Sequence, residues 1–188
     1  MKQLRKIELK RFLRQHTVHS KKNIVLILDS LQYAKNVAQI FRVADAMAVN
    51  AIYLTGATTT PPFGKELKKV SRSKENRIIW KYYQNPLEII SSLKKRGYTM
   101  VALEITDKSE NIYSYDVPEK LAVIVGSEAH GISPKVLDKC DSAVFIPMLG
   151  KGSSLNVAVS VGIALSHLLK DKTRRSSAGS GTRTRTPG

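Results

Sequence analysis

The sequence predicts an α/β domain built on a mostly parallel sheet with helices on both faces. Three observations lead there. Apolar runs of strand length, such as residues 23–29 (NIVLILD), show no polar alternation, as in strands covered on both faces. Such runs alternate along the chain with segments of helical apolar spacing, the order that gives βαβ units. Two of the runs, residues 121–125 and 143–146, pass directly into loops of Gly, Ser and a few polar side chains. Open α/β sheets place their ligands at such carboxyl ends.

The elements follow in order. Residues 3–14 place Leu4, Ile7, Leu9, Phe12 and Leu13 at helical spacing among basic side chains, a basic amphipathic helix. Residues 23–29 are the first strand and 29–35 a loop. Residues 36–49 form a helix with Val37, Ile40, Phe41, Ala44 and Met47 as its buried stripe, leaving Arg42 and Asp45 off it. Residues 51–54 are a second strand, and the unit they close is expected to be right-handed. Residues 55–74 read as polar and irregular, because Thr58, Thr59, Thr60, Pro61 and Pro62 forbid a regular element at the centre. A strand at 77–80, a helix at 86–95, a strand at 98–103 and a loop at 107–116 follow. Residues 121–125 and 143–146 are the last strands, and a final helix starts at about Ser154.

Composition narrows the function. With 31 Lys and Arg against 15 Asp and Glu, the formal net charge is +16. A polyanion is the natural partner, and nucleic acid the first candidate. In the arm, Lys2, Arg5, Lys6, Lys10, Arg11, Arg14, Lys21 and Lys22 face only Glu8. We expect residues 1–22 to be a basic helical arm, 23–172 the domain, and 173–188 an unstructured tail or vector-derived scar. No apolar run approaches a membrane span. The single cysteine, Cys140, excludes an internal disulfide and a cysteine metal cluster. A cytoplasmic protein is the simplest reading.

Several chemistries are absent. Residues 29–36 contain no glycine, so no dinucleotide fingerprint follows the first strand. Gly150-Lys151-Gly152-Ser153 lacks the first glycine of a phosphate-binding loop at the required spacing. His130 has no second histidine near it in sequence, and Glu128 no obvious carboxylate partner. Spacing alone stops at a nucleic-acid-binding α/β protein with a small-molecule cleft.

Three segments go further. They are Asn36-Val37-Ala38-Gln39-Ile40-Phe41-Arg42-Val43-Ala44-Asp45-Ala46, with Asn six residues before Arg on a helix; Val123-Ile124-Val125-Gly126-Ser127-Glu128-Ala129-His130-Gly131-Ile132; and Ile146-Pro147-Met148-Leu149-Gly150-Lys151-Gly152-Ser153-Ser154-Leu155-Asn156-Val157. Together, in this order, they resemble the motifs of the TrmH (SpoU) family of RNA 2′-O-ribose methyltransferases, of the SPOUT class, and the resemblance spans about residues 23–169. One segment departs: where many relatives read Lys-x-Ser-x-Gly-Ala, this chain has Lys69-Val70-Ser71-Arg72-Ser73-Lys74.

The resemblance implies a deep trefoil knot at the carboxyl-terminal end of the sheet and a homodimer with an RNA site across its interface. It implies S-adenosylmethionine as methyl donor and no metal. Leu103, Val125, Gly126, Glu128, Ile146, Met148, Gly150, Ser154 and Leu155 would hold the donor. Arg42, Asn36, Glu128, Ser154 and Asn156 would carry the reaction, Arg42 by orienting and activating the ribose hydroxyl. Lys6, Lys10, Arg11, Arg14, Arg42, Lys69 and Arg72 would meet RNA, with tRNA preferred over rRNA. Two alternatives remain: an inactive RNA-binding or assembly protein of the same fold, and a methyltransferase acting on a base nitrogen.

Overall fold

The computed structural model describes residues 1–16, 20–152 and 154–170, so the expected tail at 173–188 lies outside the described residues. The chain divides into two units. One contains Met1–Lys21 and the other is Lys22–Lys170.

In the first unit, helix α1 (Lys6–Gln15) has no buried residue. Ile7 and Leu13 are exposed, and Phe12 stacks on the His16 ring.

The second unit is a seven-stranded, all-parallel sheet. Its strands are β1 (Asn23–Asp29), β2 (Ala51–Thr55), β3 (Trp80–Tyr83), β4 (Thr99–Leu103), β5 (Glu110–Asn111), β6 (Lys120–Val125) and β7 (Ser142–Phe145). The order across the sheet is β3-β2-β1-β6-β4-β7-β5, and every pairing is parallel. β6 and β7 therefore lie on either side of β4.

Period-two geometry sends alternate residues of a strand to opposite faces. In β1, Ile24, Leu26 and Leu28 enter one core layer and Val25 and Ile27 the other. The first layer is covered by α2 (Ala34–Ala46) and α6 (Val157–Leu168), through Val37, Ile40, Phe41, Ala44, Val161, Leu165 and Leu168. The second is covered by α4 (Pro86–Lys95), through Ile89, Ile90 and Leu93. Complete burial of a side chain such as Leu26 or Ile27 contributes about 1.5–3 kcal/mol. This two-sided burial is why the strands read as unbroken apolar runs.

Four expectations are corrected. The strand expected at 77–80 lies at Trp80–Tyr83, because a 3-10 turn over Lys74–Asn76 ties the amides of Arg77 and Ile78 back to the Lys74 carbonyl. The irregular stretch 55–74 contains helix α3 (Lys65–Ser71); its Lys, Glu and Leu residues favour helix once the prolines are passed. The loop at 107–116 contributes the short edge strand β5. The last helix begins at Val157, with Asn156 as N-cap, so Ser154 lies outside it. A short helix α5 (Pro134–Leu137) after Ser133 was also not anticipated.

Candidate active site

The carboxyl ends of β4, β6 and β7 surround a cavity of about 720 Å³. The first turn of α2 and the entry to α6 close its other sides. Leu103, Val125, Ile146, Met148 and Leu155 supply apolar wall; Asn36, Glu104, Gly126, Glu128, Ser154 and Asn156 supply polar groups and main chain. A volume of this size with a few convergent polar groups suits a small organic ligand.

One string of hydrogen bonds joins the three sequence motifs. Asn156 Oδ1 accepts from the amides of Ala158 at 3.0 Å and Val159 at 3.4 Å, capping α6. Its Nδ2 donates to Asn36 Oδ1 at 3.0 Å. Asn36 Nδ2 donates to Glu128 Oε1 at 2.7 Å. Asn36 is 9% exposed, so each end of a buried amide is satisfied by another motif. The helix cap, the α2 motif and the β6 loop are thus fixed relative to one another.

The β6 loop is held shut by its own backbone. Ser127 and Gly131 exchange hydrogen bonds of 3.0 and 2.8 Å. A Cβ on Gly126 would lie 2.2 Å from the Gly131 carbonyl carbon, closer than any side chain survives. Gly131 has φ +66°, where an L side chain is strained. Gly126 is therefore required by the loop folding on itself, whereas nothing lies within 4 Å of a Cβ built on Gly150.

Of the residues expected at the donor site, all but Gly150 line the cavity. Among the expected catalytic residues Asn36, Glu128, Ser154 and Asn156 line it, and Arg42 does not. Six residues along a helix is about 9 Å of rise and about a third of a turn of offset, which sets Arg42 apart from the wall that Asn36 lines. Arg42 is exposed and has no ion pair among the described residues. Glu128 bonds Asn36. Tyr33, Lys35, Glu104, Ile105 and Ser160 also line the cavity. Glu104 sits where the sequence reads only as a strand end, and no motif marked it.

The basic segment after β2 is organised locally. Lys69 pairs with Glu66 at 2.8 Å, both exposed. Arg72 and Ser73 both have positive φ, +53° and +55°, and Ser73 stands where the relatives' pattern has Gly. Asp45 on α2 receives Lys74 and, at 3.7 Å, Arg77, tying the 3-10 turn to α2. Elsewhere, Cys140 is half-buried. Burial, reinforced by Asp141, pushes its thiol up to about 11, which makes it a poor nucleophile at neutral pH.

Comparisons agree with this geometry. The profile of the SpoU rRNA Methylase family matches residues 23–166. The chain is 28% identical over 156 residues to the tRNA (guanosine(18)-2′-O)-methyltransferase of Aquifex aeolicus, covering 81% of this chain and 72% of that one. It is 29% identical over 161 residues to a putative TrmH family tRNA/rRNA methyltransferase of Staphylococcus saprophyticus, covering 86% of this chain but only 64% of the relative's length. The crystal structure of the A. aeolicus TrmH/SpoU tRNA modifying enzyme superposes with a TM-score of 0.71 at 26% identity, over 86% of this chain and 82% of that one. An AdoMet-bound rRNA methyltransferase from Sinorhizobium meliloti superposes with a TM-score of 0.72 at 25% identity, over 83% and 59%.

Proposed function

The chain belongs to the SpoU methylase family, and from that premise we propose that it transfers a methyl group from S-adenosylmethionine to a ribose 2′-hydroxyl of RNA, with tRNA preferred over rRNA. The observation that carries the proposal is the meeting of all three motifs, through Glu128, Asn36 and Asn156, at the lip of one cavity. The A. aeolicus relative, of which the chain spans the larger share, is named for tRNA.

The cavity fits an S-adenosyl group. Leu103, Ile146, Met148 and Leu155 offer a half-open apolar slot for adenine, and the strand ends at Val125 and Gly126 offer main-chain partners. When bound, the donor supplies an electrophilic methyl on a sulfonium, which leaves as a neutral thioether. The chain's own work is to hold the acceptor hydroxyl in line and assist loss of its proton. Asn156 and Asn36 set the lip rigidly, and Ser154, exposed on the cavity wall, is free to bond the incoming ribose.

Arg42 belongs to the phosphate side of the reaction. A guanidinium is a poor base in isolation but grips phosphate with a planar fork. Because Arg42 is exposed and off its own protomer's cavity, its participation is best served by a homodimer in which RNA spans two protomers. The exposed apolar side chains of Leu149, Leu155 and Val159, on the loop and first turn bordering the cavity, support such an interface. The interleaving of β6 and β7 about β4 supports the trefoil crossing that goes with the family reading. Lys6, Lys10, Arg11 and Arg14 of the arm, with Lys69 and Arg72, supply exposed cations for the RNA backbone. We also assign a cytoplasmic setting, and no helix among the described residues is long and apolar enough to cross a membrane.

The test is single-turnover methylation of unmodified tRNA and rRNA, followed by mass spectrometry of nucleosides. A 2′-O-methyl nucleoside is expected, more from tRNA. A base-methylated nucleoside would move the enzyme to another methyltransferase type. RNA binding without transfer would leave an assembly protein.

A further inference from the structure

Glu104 is the cavity-lining carboxylate that no sequence motif marked. It follows the last residue of β4, and its charge has no cationic partner among the described residues. Its carboxylate is pinned by main chain on two sides. Oε1 accepts from the amide of Ile105 at 3.0 Å, and Oε2 from the amide of Ile132 at 3.2 Å. The β6 loop makes room for it: a Cβ on Gly131 would come within 2.5 Å of Oε2. A side chain in that space would displace the carboxylate.

An ionised carboxylate has about four acceptor positions. Main-chain amides occupy two here, one on each oxygen. Each oxygen retains capacity, and the pair is fixed in orientation beside a small-molecule cavity. Two adjacent fixed acceptors match two adjacent hydroxyl donors. The same pairing, an acidic side chain at a strand end receiving ribose hydroxyls, recurs in dinucleotide-binding sheets. Resting on the S-adenosyl donor reading above, we propose that Glu104 is the specificity residue for the donor's ribose, accepting hydrogen bonds from its 2′- and 3′-hydroxyls. The carboxylate thereby separates a ribonucleoside donor from a deoxyribonucleoside one, and the Ile132 amide couples that recognition to closure of the β6 loop.

The experiment is calorimetry on the full chain with S-adenosylhomocysteine and its 2′-deoxy and 3′-deoxy ribose analogues, for wild type and Glu104→Gln. Wild type is expected to lose roughly tenfold to hundredfold in affinity for each missing hydroxyl, the range of a hydrogen bond to a charged group. Glu104→Gln is expected to weaken the parent ligand by a similar factor and to lose discrimination against at least one deoxy analogue. Wild type that binds all three ligands equally would overturn the assignment without any variant. A Gln variant that is weakened but still discriminates fully would reduce Glu104 to a support for the Ile132 amide. With S-adenosylmethionine titrated as a fourth ligand, a Gln variant that loses it more than S-adenosylhomocysteine, with ribose discrimination intact, would assign Glu104 to the sulfonium charge and overturn the diol reading. If wild type fails to bind S-adenosylhomocysteine at all, the donor reading falls and this assignment with it.

Discussion

At Asn36 a buried amide is bonded at both ends, to Glu128 and to Asn156. Six residues further along the same helix, Arg42 is exposed and holds no ion pair among the described residues. The contrast extends to their neighbours. Around Asn36, the loops after β6 and β7 are knit by bonds between residues about ninety to one hundred and twenty positions apart. Beside Arg42 on the same helix, Asp45 takes Lys74 and Arg77 as partners, and the Arg42 guanidinium is left to solvent. A cavity that must be preformed satisfies its polar groups internally, so removing one strands another. A surface that must meet a polyanion keeps its charges solvated, at little cost to the fold.

The strongest attack on the cavity half is Gly126→Ala. The added methyl has backbone 2.2 Å away, and overpacking against main chain costs more than the about 1–3 kcal/mol of an ordinary core insertion. Donor binding is expected to vanish in calorimetry and the melting temperature to fall. Donor affinity within threefold of wild type would show that the loop is not the wall described here.

Arg42→Ala tests the other half. The loss of a bidentate phosphate grip is expected to lower single-turnover methylation by about a hundredfold or more. Donor affinity and oligomeric mass should not change. Arg42→Lys should fail nearly as badly, because an ammonium keeps the charge without the fork. A wild-type rate for Arg42→Ala would remove the residue from the reaction, and lost donor binding would make the two halves one.

Asn36→Ala is expected to destabilise by about 1 kcal/mol, since it removes the hydrogen bonds to Asn156 and Glu128, whose own side chains are exposed and return to water. Asn156→Ala should cost about 1 kcal/mol through the cap alone. The double variant should be less destabilised than the sum. Strict additivity in denaturant unfolding would mean that the string is not one unit.

Smaller effects belong to the surface. Lys69→Ala and Arg72→Ala should each weaken RNA binding a few-fold and reduce the log–log salt slope by about 0.7–0.9, with unfolding unchanged. A slope that does not move would take that residue off the RNA contact. Smallest is Ser73→Gly. Left-handed backbone costs an L residue roughly 1–2 kcal/mol, partly offset by glycine's extra unfolded-state entropy. A gain of up to about 1 kcal/mol is expected, and a loss would show that the Ser73 side chain is needed where it stands.

Reading the sequence alone worked where a local pattern carries the information. Residues 23–29 and 121–125 read as two-sided strands because both faces demand apolar side chains, and the order of elements set the α/β class. Residues 86–95 gave a helix to the residue, since Asn85 caps it and Pro86 starts it. The end of the sheet that carries the cavity was legible because two apolar strands run into short Gly- and Ser-containing loops, whereas the individual wall residues came from the family resemblance, and of these Gly150 stands off the cavity. The helix at Lys65–Ser71 and the displacement of β3 were not, because two apolar residues, Leu67 and Val70, are too few to show a period among basic side chains, and a 3-10 turn spends the amides a strand would need.

What the sequence determined by itself, then, is the class of fold, the ends of the sheet that matter and the family to which the motifs belong. Tertiary structure alone decided which polar groups meet. Glu128 bonds Asn36 because β6 lies beside β1 in the sheet, a neighbour relation between residues separated by most of the domain. Glu104 enters the cavity because β4 packs next to β6 and Gly131 leaves space for its carboxylate. Arg42 stands apart from its own cavity because helical pitch turns it away. Periodicity reports which face of an element is buried; it holds no record of which distant element covers that face.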